Sequence, residues 1–163
     1  MSYFIAGAWG AGGNLVLSRG LVSGAGTQTA GLSFGGLTSV SVKKTEEYDG
    51  TTWTTGNDLV TARSDGAGAG SQIAALAIAG NTNTSEKYDG TTWTSSGNLS
   101  VSKYALGGCG TQNAGLAFGG YTGSNSSVTE KFNGTTWSTG SNILTTRRAL
   151  SGCGTQSAGL NFG

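Results

Sequence analysis

Four tryptophans set the ruler of this chain. They stand at Trp9, Trp53, Trp93 and Trp137, separated by 44, 40 and 44 residues. Ten residues after each comes a cation, Arg19, Arg63, Lys103 and Arg147, and nine residues further on a glutamine, Gln28, Gln72, Gln112 and Gln156. Three independent landmarks holding one register over the chain define an internal repeat. A repeat of this period decides the fold before any single residue does, because each unit must bury its apolar face against a neighbouring copy.

Within the repeat the residues predict four short strands. The first, over Gly20–Gly26 and Gly152–Gly154 in the outermost copies, is dominated by Gly, Ala, Ser and Cys. The second, Ala30–Gly36, recurs at Ala74–Gly80, Ala114–Gly120 and Ala158–Gly163. Its side chains alternate: Ala30, Leu32 and Phe34 point one way, and Thr29, Gly31 and Ser33 the other. One face of the predicted sheet is bulky and the other nearly bare, so identical sheets stack bulky on bare with no helix between them. The third strand is Thr45–Tyr48, with cognates at Ser85–Tyr88 and Thr129–Phe132. Asp49-Gly50, Asp89-Gly90 and Asn133-Gly134 then give tight turns, since these dipeptides tolerate positive φ. The fourth strand is placed on Thr51–Trp53, Thr91–Trp93 and Thr135–Trp137. No helical period is visible.

The unit, with Gly35-Gly36 and Gly119-Gly120 ending the second strand, Tyr48-Asp49 and Tyr88-Asp89 at the third, and a Trp in each copy, resembles the kelch repeat of β-propellers. The wording of the repeats also resembles kelch-type proteins predicted from marine bacteriophages, generally taken for virion or tail-associated proteins. The resemblance covers essentially the whole chain. It implies an all-β, kelch-like propeller with four four-stranded repeats in a single domain over 1–163. The repeats run over about 18–53, 62–93 and 102–137, and a last one combines 146–163 with 1–9. In this register Phe4 stands where Tyr48 does, so the N-terminal strands complete the last blade. Two closures fit. The chain closes on itself as a four-bladed ring, or two chains exchange halves as an eight-bladed homodimer, and small inner-strand residues favour the narrower ring.

Composition narrows the chemistry. The chain contains no His and only two Cys, which removes zinc sites of the usual nitrogen and sulfur kind and every imidazole-based nucleophile or base. Nine Lys and Arg balance eight Asp and Glu, which gives no charge excess for nucleic acid or an acidic membrane. No apolar run is long enough to span a bilayer. No cofactor or metal is expected, and Cys109 and Cys153 read as small buried thiols at equivalent positions.

The repeated cations and Glu46, Glu86 and Glu130 read as buried ion pairs, with Ser2 at the fourth glutamate position. A glycosidase would have to draw its paired carboxylates from this set, and three copies of one environment do not supply two different ones, so no enzyme is expected. The tryptophans read as wedges between blades, with sugar stacking as the other use. The glutamines either bond neighbouring backbone or present amides at one rim. Gly66–Ser71 lacks the phosphate-loop pattern. Function is sought where copies differ, in the connections Leu37–Val42, Asn81–Asn83 and Tyr121–Ser127, with Tyr121 and Asn125 as a candidate contact. The expected role is a non-enzymatic binding or structural module, on a virion by resemblance, whose partner is a cell-surface glycan or another virion protein. A purely architectural or engineered symmetric scaffold without a ligand is the alternative.

Overall fold

A computed structural model describes residues 12–163. Trp9, Ser2 and the strands expected over 1–9 lie outside the described residues. All fourteen elements are β-strands. The first sheet contains β1 (Ser23–Thr27), β2 (Ala30–Phe34), β3 (Thr45–Tyr48) and β4 (Trp53–Thr55). The second contains β5 (Ala67–Ser71), β6 (Ala74–Ile78), β7 (Ser85–Tyr88) and β8 (Trp93–Ser95). The third contains β9 (Gly107–Thr111), β10 (Ala114–Phe118), β11 (Thr129–Phe132) and β12 (Trp137–Thr139). The last contains β13 (Ser151–Gly154) and β14 (Gly159–Phe162). Three sheets are thus four-stranded antiparallel meanders in chain order, and the last has two strands among the described residues.

The predicted alternation sets the register. In the first sheet Ala25 pairs with Leu32 and Gly24 with Ser33, so the bulky and bare faces stay separate across strands. Two strand boundaries differ from expectation. The innermost strand of the first sheet starts three residues after the predicted Gly20, at Ser23, and the fourth strand begins at Trp53 where Thr51 was expected. In the latter case Asp49 captures the chain: its Oδ1 accepts from the amides of Thr51 (2.8 Å) and Thr52 (2.7 Å). The two threonines therefore belong to an Asx turn and not to the ladder. Asp89 and Asn133 repeat the arrangement. These amide hydrogen bonds hold the Asp49 and Asp89 carboxyls below the usual range.

The hydrophobic core is divided into slabs between consecutive sheets. Leu32 and Phe34 of the first sheet pack with Ala75, Ala77, Tyr88 and Trp93 of the second. Leu76 and Ile78 of the second pack with Ala117 and Phe132 of the third. Leu116, Phe118 and Cys109 of the third pack with Leu150, just before β13. The bare faces make this possible: a Cβ added to Gly115 would lie 2.6 Å from Leu76 Cδ2, and one added to Gly152 would lie 2.3 Å from Phe118 Cζ. Each fully buried Leu or Phe contributes about 1.5–3 kcal/mol.

A backbone ladder ties the inner strands together. Leu21, Asp65, Ala105 and Ala149 occupy equivalent positions and all adopt positive φ, between 51° and 57°. This left-handed geometry is unusual for residues with a Cβ and costs of order 1–3 kcal/mol unless its surroundings enforce it. Here it turns each amide towards the preceding sheet. Asp65 N–H donates to Leu21 O (2.9 Å), Ala105 to Asp65 O (2.7 Å) and Ala149 to Ala105 O (2.8 Å). The inner strands β1, β5, β9 and β13 line one funnel of about 410 Å³, with Gly24, Gly68, Gly108 and Gly152 at corresponding places on its wall.

Candidate functional site

The repeated polar residues are committed to the scaffold. Glu86 is buried on β7, where its two carboxylate oxygens accept from the amides of Val60 (2.7 Å) and Thr61 (3.0 Å) and from the Arg63 guanidinium. Arg63 further donates to the carbonyls of Ala79 (2.8 Å) and Thr84 (3.0 Å). Glu46 repeats this with Arg19 and the amides of Val16 and Leu17, and Glu130 with Lys103 at 2.6 Å and the amide of Ser100 at 2.8 Å. Burial alone pushes the Glu46 carboxyl up, but the Arg19 hydrogen bond and the two amides outweigh it, and its pKa lies below the ordinary value. Burial likewise lowers the Arg63 pKa against the opposing effect of Glu86. Each carboxylate thus sits in its own satisfied cradle. Arg147, the fourth cation, bonds the carbonyl of Gly163 (3.1 Å) and has no glutamate among the described residues.

Three glutamines act as clips between sheets. Gln72 Nε2 donates to the carbonyls of Gly31 (2.9 Å) and Tyr48 (2.8 Å), and Gln156 to those of Gly115 (2.8 Å) and Phe132 (2.6 Å). Gln112 does the same with Ala75 and Tyr88. Gln28 is exposed and makes no such bond among the described residues. Of the tryptophans, Trp93 Nε1 donates to Thr45 Oγ1 of the preceding sheet (2.9 Å) and Trp137 Nε1 to Ser85 Oγ (3.1 Å). Their rings lie against Tyr88 and Phe132, as Trp53 lies against Tyr48. Trp93 is buried and has no face free for a sugar ring to stack on, and Trp53 and Trp137 are half-buried.

Cys109 and Cys153 are free thiols. Cys109 is buried, which together with the nearby Cys153 raises its pKa. Cys153, expected to be buried, is exposed because, among the described residues, no further sheet covers the bulky face of β13 and β14.

What differs between copies gathers at one rim. There the connection leaving the second strand meets the segment entering the first. Gly20 pairs with Leu37 in the first repeat, and Tyr104 with Tyr121 in the third. In the second repeat Asn81 Nδ2 reaches the carbonyl of Ser64 (3.4 Å). The β6–β7 connection is four residues shorter than β2–β3 and β10–β11, which accounts for the spacing of 40 among spacings of 44. The longer loops form small fingers. In the third repeat Thr122 N–H bonds Ser124 O (3.1 Å), Gly123 at the tip has φ 102°, and Asn125 bridges back to Tyr121.

At that place the rings of Tyr104 and Tyr121 lie 5.3 Å apart at 51°. The exposed Arg148 holds its guanidinium carbon 4.8 Å from the Tyr121 centroid, a cation–π contact. Tyr121 is half-buried and Asn125 exposed, so the cluster brings two partly exposed aromatic rings beside amide, hydroxyl and guanidinium groups. Tyr121 and Asn125 were singled out from the sequence, whereas Tyr104 and Arg148 were not. Aligning Gly20, Ser64, Tyr104 and Arg148, each directly after its cation, would have exposed them as a position that differs in every copy. Among the described residues no group of three His, Cys, Asp or Glu gathers as metal ligands do.

No family model matches the chain, and the search of curated proteins returns no match.

Proposed function

We propose that this chain is a non-enzymatic, kelch-like β-propeller module that binds a surface glycan through the Tyr104–Tyr121–Arg148 rim, as part of a phage particle. Its four repeats act as blades about the central funnel, and N-terminal strands, from the same chain or from a second copy, complete the last one. The single observation that carries the binding reading is the contrast in side chains. Glu, cation, Gln and Trp repeat and, between consecutive sheets, bond the scaffold, whereas the tyrosines, Arg148 and Asn125 break the repeat and cluster at the surface. Aromatic faces take the apolar side of a sugar ring, and the neighbouring amide, hydroxyls and guanidinium match its hydroxyls. The isolation of each glutamate in its own cradle favours binding over hydrolysis, which needs two unlike carboxyls facing one bond.

A glycan array tests this. The protein is expected to retain a restricted set of glycans, and Tyr121→Ala is expected to weaken retention by about tenfold or more with the melting temperature nearly unchanged. Retention unaffected by Tyr121→Ala and Tyr104→Ala would overturn the assignment. Cleavage of a retained glycan, lost in Glu86→Gln, would overturn the non-enzymatic reading.

A further inference from the structure

We propose that a second copy of this chain docks head to tail on the first, the bulky face of β13–β14 of each covering the bare face of β1–β2 of the other, and so closes a ring of eight sheets. This goes beyond the glycan reading and does not depend on it.

The chain carries its own template for this contact three times. Leu32 and Phe34, Leu76 and Ile78, and Leu116 and Phe118 are each at most 8% exposed because the next sheet covers them. Their counterparts Leu160 and Phe162 are 63% and 50% exposed. The opposite end shows the matching deficit. A Cβ on Gly115 or Gly159 would strike a leucine of the preceding sheet, whereas among the described residues one on Gly31 would meet only its own sheet, no closer than 3.5 Å. The polar links fail at the same place. Gln28 lacks the carbonyls that Gln72, Gln112 and Gln156 reach, and its register partner is the carbonyl of Gly159. The amide of Leu21 and the carbonyl of Ala149, which would form the next rung of the inner ladder, do not bond each other.

Four sheets leave these two ends apart. β1 packs beside β5, β5 beside β9 and β9 beside β13, with no comparable packing between β13 and β1. The surface that fits β13–β14 is therefore a first sheet belonging to another chain. Thr129 adds a signal from the incomplete blade. Among the described residues its buried Oγ1 has no hydrogen-bond partner, although Thr45 and Ser85 at the same position accept from Trp93 and Trp137. Trp9 is the tryptophan next in register. Gly12 and Gly13 lie beside Tyr48 Oη and the Thr51 carbonyl, on the first sheet. Gly12, the first described residue, thus lies on the sheet onto which the other copy's β13–β14 would dock. The contact is heterologous, and two such contacts related by a twofold axis close without leaving an edge.

The test is the mass of the purified chain in solution, together with alkylation of Cys153. The wild-type chain is expected at twice 16.2 kDa, with Cys153 protected although it is exposed in the single chain. Phe162→Glu and Gly24→Val, on opposite ends, should each raise the dimer dissociation constant by about 30-fold or more with the β-sheet spectrum retained. Mixing the two variants should restore dimer, because one of the two contacts is then wild type. A chain that remains at 16.2 kDa, that polymerises, or that dimerises with Cys153 freely reactive would overturn the proposal. A dimer indifferent to both substitutions would do the same.

Discussion

The interior sheets and the last sheet contain the same side chains in different surroundings. Leu76 and Leu160 are equivalent in sequence, register and strand position, yet one is fully buried and the other largely exposed. The same holds for Arg63, whose two terminal guanidinium nitrogens bond Glu86 and three further oxygens although its buried Nε has no partner, against Arg147, which holds one carbonyl. The difference shows where the stability of a repeat resides. A sheet with one bulky and one bare face is not self-sufficient, and its leucines stabilise only when the next bare face arrives.

The largest expected effect lies in the ion pairs. Arg63→Ala leaves Glu86 charged and buried and should cost about 3–5 kcal/mol in chemical denaturation, whereas Arg147→Ala should cost less than about 1 kcal/mol. Equal costs would break the comparison. Next come the slabs. Leu76→Ala should cost about 2–5 kcal/mol by cavity formation, and Leu160→Ala in a monomeric preparation well under about 1 kcal/mol. The clips follow: Gln72→Ala frees two carbonyls of the first sheet and should cost about 1–3 kcal/mol, while Gln28→Ala should leave the monomer unchanged.

The smallest effect is the pH dependence of the Glu46 cradle. The folded carboxyl has a pKa below its ordinary value of 4.5, so its stabilisation is fully present above that value and lost as pH falls through the lower folded one. Denaturation midpoints should therefore drop on moving from pH 7 to pH 3, and Glu46→Gln should remove this part of the slope. An unchanged slope would show that the cradle does not hold the ionised form.

Much of this architecture was legible in the sequence because it is periodic. The Trp, cation and Gln registers located the sheets, and the alternation through Leu32 and Phe34 assigned their faces. Thr51 and Thr52 misled because threonine favours strands as well as following an Asx residue, and only the Asp49 carboxylate decides between the two. The glutamines left two uses open, since an amide at a turn does not reveal which carbonyls stand opposite. Cys153 was expected to share the environment of Cys109, but burial belongs to the neighbour and not to the residue. The Tyr104–Tyr121–Arg148 cluster was half legible: Tyr121 lies in a variable loop, while its partners come from segments that adjoin it only after the strands pair.

The most direct measurement is a double-mutant cycle across one slab, between Gly152 of the last sheet and Phe118 of the third. A Cβ at position 152 would lie 2.3 Å from Phe118 Cζ, so Gly152→Ala should cost about 1–3 kcal/mol in the wild-type background and clearly less in Phe118→Leu, with a coupling of at least about 0.5 kcal/mol. Strictly additive effects would contradict the nesting of bulky on bare faces from which every other role here follows.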